Sequence, residues 1–407
     1  REGPCLIQVP ISRKIKFFTP CTAGPNGTAI LGQGKDAVAW VDLWRQERSK
    51  PGGCALVNSL TFLSKVFGLP CTIDTDELQA LASKTRATEL KPRGGGPSNK
   101  KVYLSKIHLL PEPGGKLRVV AIGDIFTQRV LKPLHDQLFA VLSTIQQDGT
   151  RSQTGLFSWL LKQARAFPHL PPVFWSSLDI SAATDSIPVQ LYQIFMECLW
   201  GNTQQAKQIA SAVITLMTDR EFTLTGDPIF KSMIKEFQTK TYRYTRGQPM
   251  GFLASFGLLA LVNHSLVQFA AFRVRRAASR YRLSVQRHFP TLFQLHNLYG
   301  VTGDDVVIGE RDDEAPIGKE YVNICKLLHI PISWAKSYSS SSLFNFLSRT
   351  VVHGVEVSPI TLKEEFSIKD PGQRAVRSVR ILQRRDNELV NDSGWLLKAV
   401  KTFLYPS

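Results

Sequence analysis

The sequence predicts an α+β fold, and three observations carry that prediction. Strand-like runs such as "PVFWSSLDI" alternate along the chain with stretches whose apolar residues recur at helical spacing. Two adjacent acids, Asp304 and Asp305, interrupt the β-forming run "NLYGVTGDDVVIGE", as a hairpin turn would. The 407 residues are 43% hydrophobic, enough for a large core serving several subdomains.

A formal charge of +17 points to a polyanionic partner, nucleic acid before an anionic membrane. Ribosomal proteins, nucleases and polymerases all share that surplus, so it selects none of them. The six cysteines (Cys5, Cys21, Cys54, Cys71, Cys198, Cys325) form no C-x-x-C pair. That argues for reduced thiols and an intracellular setting, and against a zinc ribbon. The chain opens with Arg1. We read it as a fragment of a longer reading frame or a processed product, with any targeting segment outside it.

Taken in order, residues 91–100 ("KPRGGGPSNK") read as a flexible basic loop. A strand, a turn at Pro113-Gly114-Gly115 and a second strand, "KLRVVAI", come next; Lys116 and Arg118 would share one face of the latter. Val130, Leu134, Leu138 and Val141 mark a helix over 126–143. After the strand ending at Asp179, a helix is predicted over 189–200, and residues 203–245 read as a helix followed by irregular basic sequence.

Residues 252–272 carry no charge and are long enough to cross a bilayer. Asn263, His264 and Gln268 within them would be costly in lipid, so a buried core helix is expected, without stable membrane insertion. A basic connector with Arg273, Arg275 and Arg276 comes after it. Ile317, Tyr321, Ile324 and Leu328 define one face of another helix. "IPISW" reads as a strand, "SYSSSS" as a loop and "FNFLSRTVVHGVEV" as a hairpin.

In a straight strand Asp304 and Asp305 would point to opposite faces. At a tight turn, with Gly303 free to take a positive φ, they can sit together at the tip and be stabilised by a hard divalent cation. Taken alone, such a pair is more often an exposed acidic turn; the apolar flanks argue against that. Asp179 ends an apolar strand, and Asp185 stands six positions later, either as part of the same site or as the N-cap of the next helix. A strand-end carboxylate joined by hairpin-tip carboxylates suits two-metal phosphoryl transfer. "GQPMG" (Gly247 to Gly251) forms a shaped helix-entry loop, suited to a sugar-phosphate backbone but common elsewhere. Lys116 and Arg118 could hold a triphosphate, or could simply decorate a solvated edge strand.

This set, in this order, resembles the palm of viral RNA-directed RNA polymerases, and in detail the mitovirus and narnavirus group, most of all mitovirus. "HLLPEPGGKLRVVAIGDIFTQRVLKPLHDQLFAVL" with "QDGTRSQ" is similar to the group's fingers sequence, and "AGPNG" to one further upstream. "SLDISAATDSIP", "GQPMGFLASFGLLAL", "GVTGDDVVI" and "AKSYSS" resemble motifs A, B, C and D; "VEVSPI" resembles the sequence just after motif E. The likeness runs from about residue 20 to 360.

The resemblance implies a right-hand polymerase of fingers, palm and short thumb, the palm an antiparallel sheet with flanking helices. Fingers would occupy 1–170, incomplete at the N-terminus. The palm would span 171–345, with a fingers insert at about 203–245, and the motif E hairpin and thumb 346–407. By the same resemblance, Asp179 and Asp304 would hold two Mg²⁺ ions, for which Mn²⁺ can substitute, with Asp305 in support. Asp185 would select the ribose together with Gly247, Gln248 and Ser255. Lys116 and Arg118 would bind the triphosphate, and Lys336 would protonate the departing pyrophosphate. Arg273, Arg275, Arg276 and Arg349 are candidates for gripping template and nascent RNA, although a solvated helix face explains the first three nearly as well.

Partners would be RNA and ribonucleoside triphosphates, and the setting mitochondrial, with the cytoplasm as alternative. Two stretches depart from the group: Ala254, Ser255 and Phe256 stand for Ser-Ser-Trp, and Asn345 to Arg349 for Glu-Phe-Ala-Lys-Arg. The latter loses a lysine and motivates an alternative, an inactive RNA-binding remnant of an integrated viral polymerase. A reverse transcriptase fits less well. Residues 180–184 contain no aromatic to exclude a 2′-hydroxyl, and Gly303 precedes the acids where that class has Tyr-x-Asp-Asp.

Overall fold

The computed structural model describes residues 23–48, 54–69, 75–90, 101–112, 117–165, 173–226, 241–281, 296–311 and 314–358. A small hairpin, β1 (Ala23–Gly24) and β2 (Gly27–Thr28), leads into α1 (Ala29–Glu47), α2 (Ala55–Phe67) and α3 (Thr75–Thr88). Then come β3 (Ser105–Pro111), β4 (Leu117–Gly123), α4 (Ile125–Leu142) and α5 (Gln153–Ala164). The next group is β5 (Phe174–Asp179), α6 (Ala183–Ser186), α7 (Val189–Leu199), α8 (Gln204–Thr218), β6 (Phe222–Gly226) and β7 (Thr241–Tyr242). The long helix α9 (Ser255–Tyr281) precedes the hairpin β8 (Tyr299–Thr302) and β9 (Asp305–Glu310). Helix α10 (Pro316–Leu327) and strands β10 (Tyr338–Ser340), β11 (Leu343–Phe346), β12 (Arg349–Val352) and β13 (Val355–Glu356) complete the described chain.

One sheet has the order β10-β5-β9-β8 and is antiparallel throughout. Of its two central strands, β9 carries a continuous apolar run, while β5 mixes Trp175 and Leu178 with the buried Ser176 and Ser177. Val306, Val307 and Ile308 are all buried, and α9 and α10 pack on the sheet. The second sheet has the order β4-β3-β6-β7, with β6 parallel to β3. Two of its strands come from residues 203–245, where irregular sequence was expected after the helix. Thr223 and Leu224 become a strand by pairing with Lys106 and Ile107, a partner more than a hundred residues away. A third sheet, β11-β12-β13, extends the expected hairpin by one strand.

Two further expectations fail locally. "SYSSSS" contains a strand, because Tyr338–Ser340 pairs with the edge of β5 and Ser339 Oγ meets Ser176 Oγ at 3.0 Å. Serine has little strand preference, so the neighbouring edge decides the outcome. "IPISW" is not a strand: Ile332 makes one isolated bridge to Ile180, and a turn comes next.

Residues 255–277 form a helix long and apolar enough to cross a membrane, but 78% of its most apolar window is buried inside the protein. Asn263, His264 and Gln268 are fully buried and each finds a partner.

At the start of α4 lies a buried polar network. The Asp124 side chain caps the helix by accepting from the Thr127 N–H at 2.9 Å. It also accepts from Trp40 Nε1 (2.9 Å) and from Arg220 Nη2 (2.6 Å), and both ends of the ion pair are inaccessible. Asp36 beside it accepts from the Ile125 N–H (3.0 Å) and from the Asn26 side-chain amide (2.7 Å). Asn26 in turn clasps the backbone of Tyr103 through both N–H and C=O. Helices α1, α4 and α8 and the residues just before β3 thus meet at one point.

Arg220→Leu would strand the Asp124 charge, and is expected to destabilise the chain by about 3–5 kcal/mol in urea unfolding. A loss under about 1 kcal/mol would mean the pair is dispensable. Burial, and then the charge of Asp124, push the Asp36 carboxyl up to about 7. The native state therefore holds a proton that the unfolded chain releases near its ordinary value of 3.8. Its contribution to stability falls as pH rises from about 4 to about 7. Across that window, stability measured by denaturation should shift in favour of Asp36→Asn; a difference that does not change with pH would contradict the assignment.

Candidate active site

The acids gather at one end of the antiparallel sheet. Gly303 (φ +64°) and Asp304 form the turn between β8 and β9, and Asp305 is the first residue of β9. The sequence suggests that the two acids sit together at the tip; instead Asp304 is in the turn and Asp305 already in the strand. Asp305 sits directly opposite Asp179, the last residue of β5, in the antiparallel register. Directly opposed residues point to the same face, with Cβ atoms roughly 5 Å apart. A Cβ on Gly303 would lie 2.8 Å from the Phe256 ring, so the turn fits closely beneath that side chain.

Residues 333–337 lap over the end of β5. The Ser333 N–H donates to the Asp179 carbonyl (2.8 Å), and the Asp179 N–H donates to Ser337 Oγ (3.0 Å). This brings the exposed Lys336 Nζ to 3.4 Å from Asp179 Oδ2. Burial first, then the charges of Asp304 and Asp179, push the Asp305 carboxyl up to about 6, against the opposing pull of Lys336.

Among the described residues no three His, Cys, Asp or Glu side chains close into a ready-made metal cage. The donor chemistry nevertheless fits a hard divalent cation, which would relieve the repulsion between neighbouring carboxylate oxygens.

A second cluster lies beside the first. Asp185 stands in the short helix α6 with its side chain open to solvent, and partial desolvation raises its carboxyl above the ordinary range. It is not the N-cap of α7, a position held by Pro188, so that reading of Asp185 falls. Gly247 presses on the same backbone. A Cβ there would lie 2.1 Å from the Thr184 carbonyl oxygen and 2.5 Å from Asp185 Cα, so only glycine permits the approach. The Gln248 N–H donates to the Thr184 carbonyl (2.8 Å), and its side-chain amide donates to the Ser255 carbonyl (2.9 Å). Ser255 Oγ is buried and has no hydrogen-bond partner among the described residues. The Met250 carbonyl accepts from the Ala121 N–H at 2.7 Å, which ties this loop to β4.

The basic residues are more dispersed. Arg118 lies on β4, exposed and paired with Glu112 at 2.8 Å, and Lys116 lies outside the described residues. Arg273, Arg275 and Arg276 are on the distal half of α9, away from the acids, with Arg273 paired to Glu320 at 2.8 Å. Arg349 is engaged internally. Its guanidinium binds both Glu356 oxygens and lies 3.5 Å from the centre of the Phe157 ring.

Sequence reasoning missed the residues behind the acids. Asn263 donates to the Gly303 carbonyl, Tyr321 donates to Asn263, and His264 joins Tyr299 to Asp148. The available signal was three polar residues in an otherwise uncharged helix, each of which needed a partner.

The chain is similar to two known proteins and to one family profile. The RNA-directed RNA polymerase of Cryphonectria parasitica mitovirus 1 (strain American chestnut tree/New Jersey/NB631) is 28% identical over 246 residues, 60% of this chain. The match spans only 25% of that viral protein. An uncharacterized mitochondrial protein of Arabidopsis thaliana is 30% identical over 227 residues, covering 55% of this chain and 76% of the plant protein. The profile of the mitovirus RNA-dependent RNA polymerase family matches residues 10–404, nearly the whole chain, and the protein belongs to that family.

Proposed function

We propose that the chain is an RNA-directed RNA polymerase that replicates a viral positive-strand RNA genome by two-metal nucleotidyl transfer. The observation that carries this reading is the register placing Asp179 opposite Asp305, with Asp304 in the adjoining turn and Lys336 at 3.4 Å from Asp179. Asp179 and Asp304 would hold the cations, with Asp305 in support. Mg²⁺ bound there, or Mn²⁺ in its place, would lower the pKa of the attacking 3′-hydroxyl and neutralise charge on the phosphates.

The 3′-oxygen forms a bond to the α-phosphorus of a template-paired ribonucleotide, and the bond to the bridging oxygen of the pyrophosphate breaks. Lys336, exposed beside Asp179, would give the departing pyrophosphate its proton. Lys116 and Arg118 would take the triphosphate, Arg118 leaving its exposed pairing with Glu112. Asp185, with Gly247, Gln248 and Ser255, would meet the ribose. Arg273, Arg275, Arg276 and Arg349 would hold RNA backbone without reading sequence, since base pairing supplies the choice of nucleotide. Family membership and the plant mitochondrial relative support a mitochondrial setting.

A second reading is an inactive RNA-binding remnant of an integrated viral polymerase, which the likeness to a plant mitochondrial protein favours. The intact set of acids favours activity. Extension of a self-priming RNA hairpin with labelled ribonucleotides distinguishes them, run with Mg²⁺, Mn²⁺ and EDTA. Metal-dependent extension is expected, falling to background in Asp304→Ala while RNA affinity stays close to that of the unsubstituted chain. Salt-sensitive RNA binding without extension would establish the remnant instead.

In the same assay Asp185→Ala is expected to lower the preference for ribo- over deoxyribonucleotides by roughly 10- to 100-fold, the worth of one hydrogen bond to a charged group. An unchanged ratio would remove Asp185 from sugar recognition.

A further inference from the structure

Asn263 is completely buried in the middle of α9. Its Nδ2 donates to the Gly303 carbonyl at 3.0 Å and reaches the Asp304 carbonyl at 3.4 Å. Its Oδ1 accepts from the hydroxyl of Tyr321, on α10, at 2.7 Å. The orientation of the amide is chemically fixed, because the two carbonyls can only accept and a neutral phenol donates to the remaining oxygen. These carbonyls belong to the turn that carries Asp304, and an inward-facing turn carbonyl deprived of its donor carries the full desolvation penalty.

The neighbouring polar residues of α9 act on the same segment. The neutral His264 ring donates to Asp148 (3.1 Å) and accepts the Tyr299 hydroxyl at the base of the hairpin (3.0 Å). Gln268 clasps the backbone of His296 through both its N–H (3.1 Å) and its C=O (2.8 Å). The helix therefore fastens residues 296–304 at three levels, and Asn263 is the level at the acids. On the other side of the turn the Phe256 ring covers Gly303.

We propose that Asn263, oriented by Tyr321, is a positioning residue that fixes the Gly303–Asp304 turn so that Asp304 joins Asp179 and Asp305 in one cation site. The inference rests on the polymerase reading above. Groups that orient ligands from behind typically change metal affinity or activity 10- to 100-fold when removed, whereas a residue that only fills space does not.

The test is Mn²⁺ binding to the full chain by electron paramagnetic resonance, with single-turnover nucleotide incorporation and RNA affinity measured alongside. Asn263→Leu keeps the volume and removes the donor. It is expected to weaken Mn²⁺ binding roughly 10-fold and slow incorporation, with RNA affinity unchanged. Tyr321→Phe keeps the ring and removes the orienting hydroxyl, and should shift both quantities the same way by less. The double variant should be no worse than Asn263→Leu, since Tyr321 acts through Asn263.

Mn²⁺ affinity equal to that of the unsubstituted chain in both folded variants would overturn the proposal. If Asn263→Leu fails to fold, unchanged affinity in Tyr321→Phe overturns it alone. If the unsubstituted chain shows no Mn²⁺ binding that Asp304→Ala abolishes, the polymerase reading itself fails, and this inference with it.

Discussion

Mutual repulsion among three carboxylates at the end of an apolar sheet governs the centre of this molecule. Asp179 and Asp305 face each other across a strand pair, and Asp304 is their neighbour. Two unit charges 4 Å apart repel by about 4 kcal/mol at an effective dielectric constant of 20, and the buried valines around them offer no hydration in exchange. The pressure is visible in the Asp305 carboxyl, held near 6 by burial and by the other two charges. A fold that tolerates this must hold the acids by their backbone, because their side chains push apart. It does so at each one. Ser333 and Ser337 clasp the backbone of Asp179, the strand register fixes Asp305, and Asn263 holds the turn of Asp304. Lys336 then offsets part of the charge directly, through Asp179.

The second electrostatic centre works differently. The Asp124–Arg220 pair is fully inaccessible, and Asp36 crowds it with a second carboxyl. Ion pairs of this kind contribute little net stability, because desolvation offsets their attraction, yet breaking one leaves a charge with nothing to balance it. Their effect is on register. Each partner comes from a different element, so only one mutual arrangement of α1, α4 and α8 leaves no charge stranded. That arrangement sets β4, which hands its position to the glycine-rich loop through the Ala121–Met250 hydrogen bond. The loop then rests Gly247 on the backbone of Asp185. The Asp124–Arg220 pair is thus linked, through β4 and this loop, to the backbone of Asp185.

Legibility in the sequence divides along these lines. Helices α4, α7 and α10 were legible because their apolar period is written locally. The acid hairpin was legible because charged residues inside β-forming sequence are rare without cause. Strand β10 was not, since a serine run becomes a strand only when the edge of β5 supplies its hydrogen bonds. The Asp124–Arg220 pair was not legible either: its members lie 96 positions apart, and nothing near either one marks it as buried. Arg349 is a third case. Its charge is plain in the sequence, but its pairing with Glu356, seven positions on, is not. Asn263, His264 and Gln268 announced that they needed partners without saying which.

Those three residues also join two questions that looked separate. The long apolar stretch of α9 suits either a bilayer or a protein core, and its apolar residues cannot distinguish them. Its polar residues can, because each must be satisfied wherever the helix lies. Here every partner is supplied by the protein, from residues 296–304, Asp148 and Tyr321, and the apolar window is 78% buried. Removing the helix to lipid would break these bonds and release the acid turn together. The placement of α9 in the core and the position of the acid turn are therefore one constraint: the same side chains that would be costly in lipid fasten the segment 296–304 that carries Asp304.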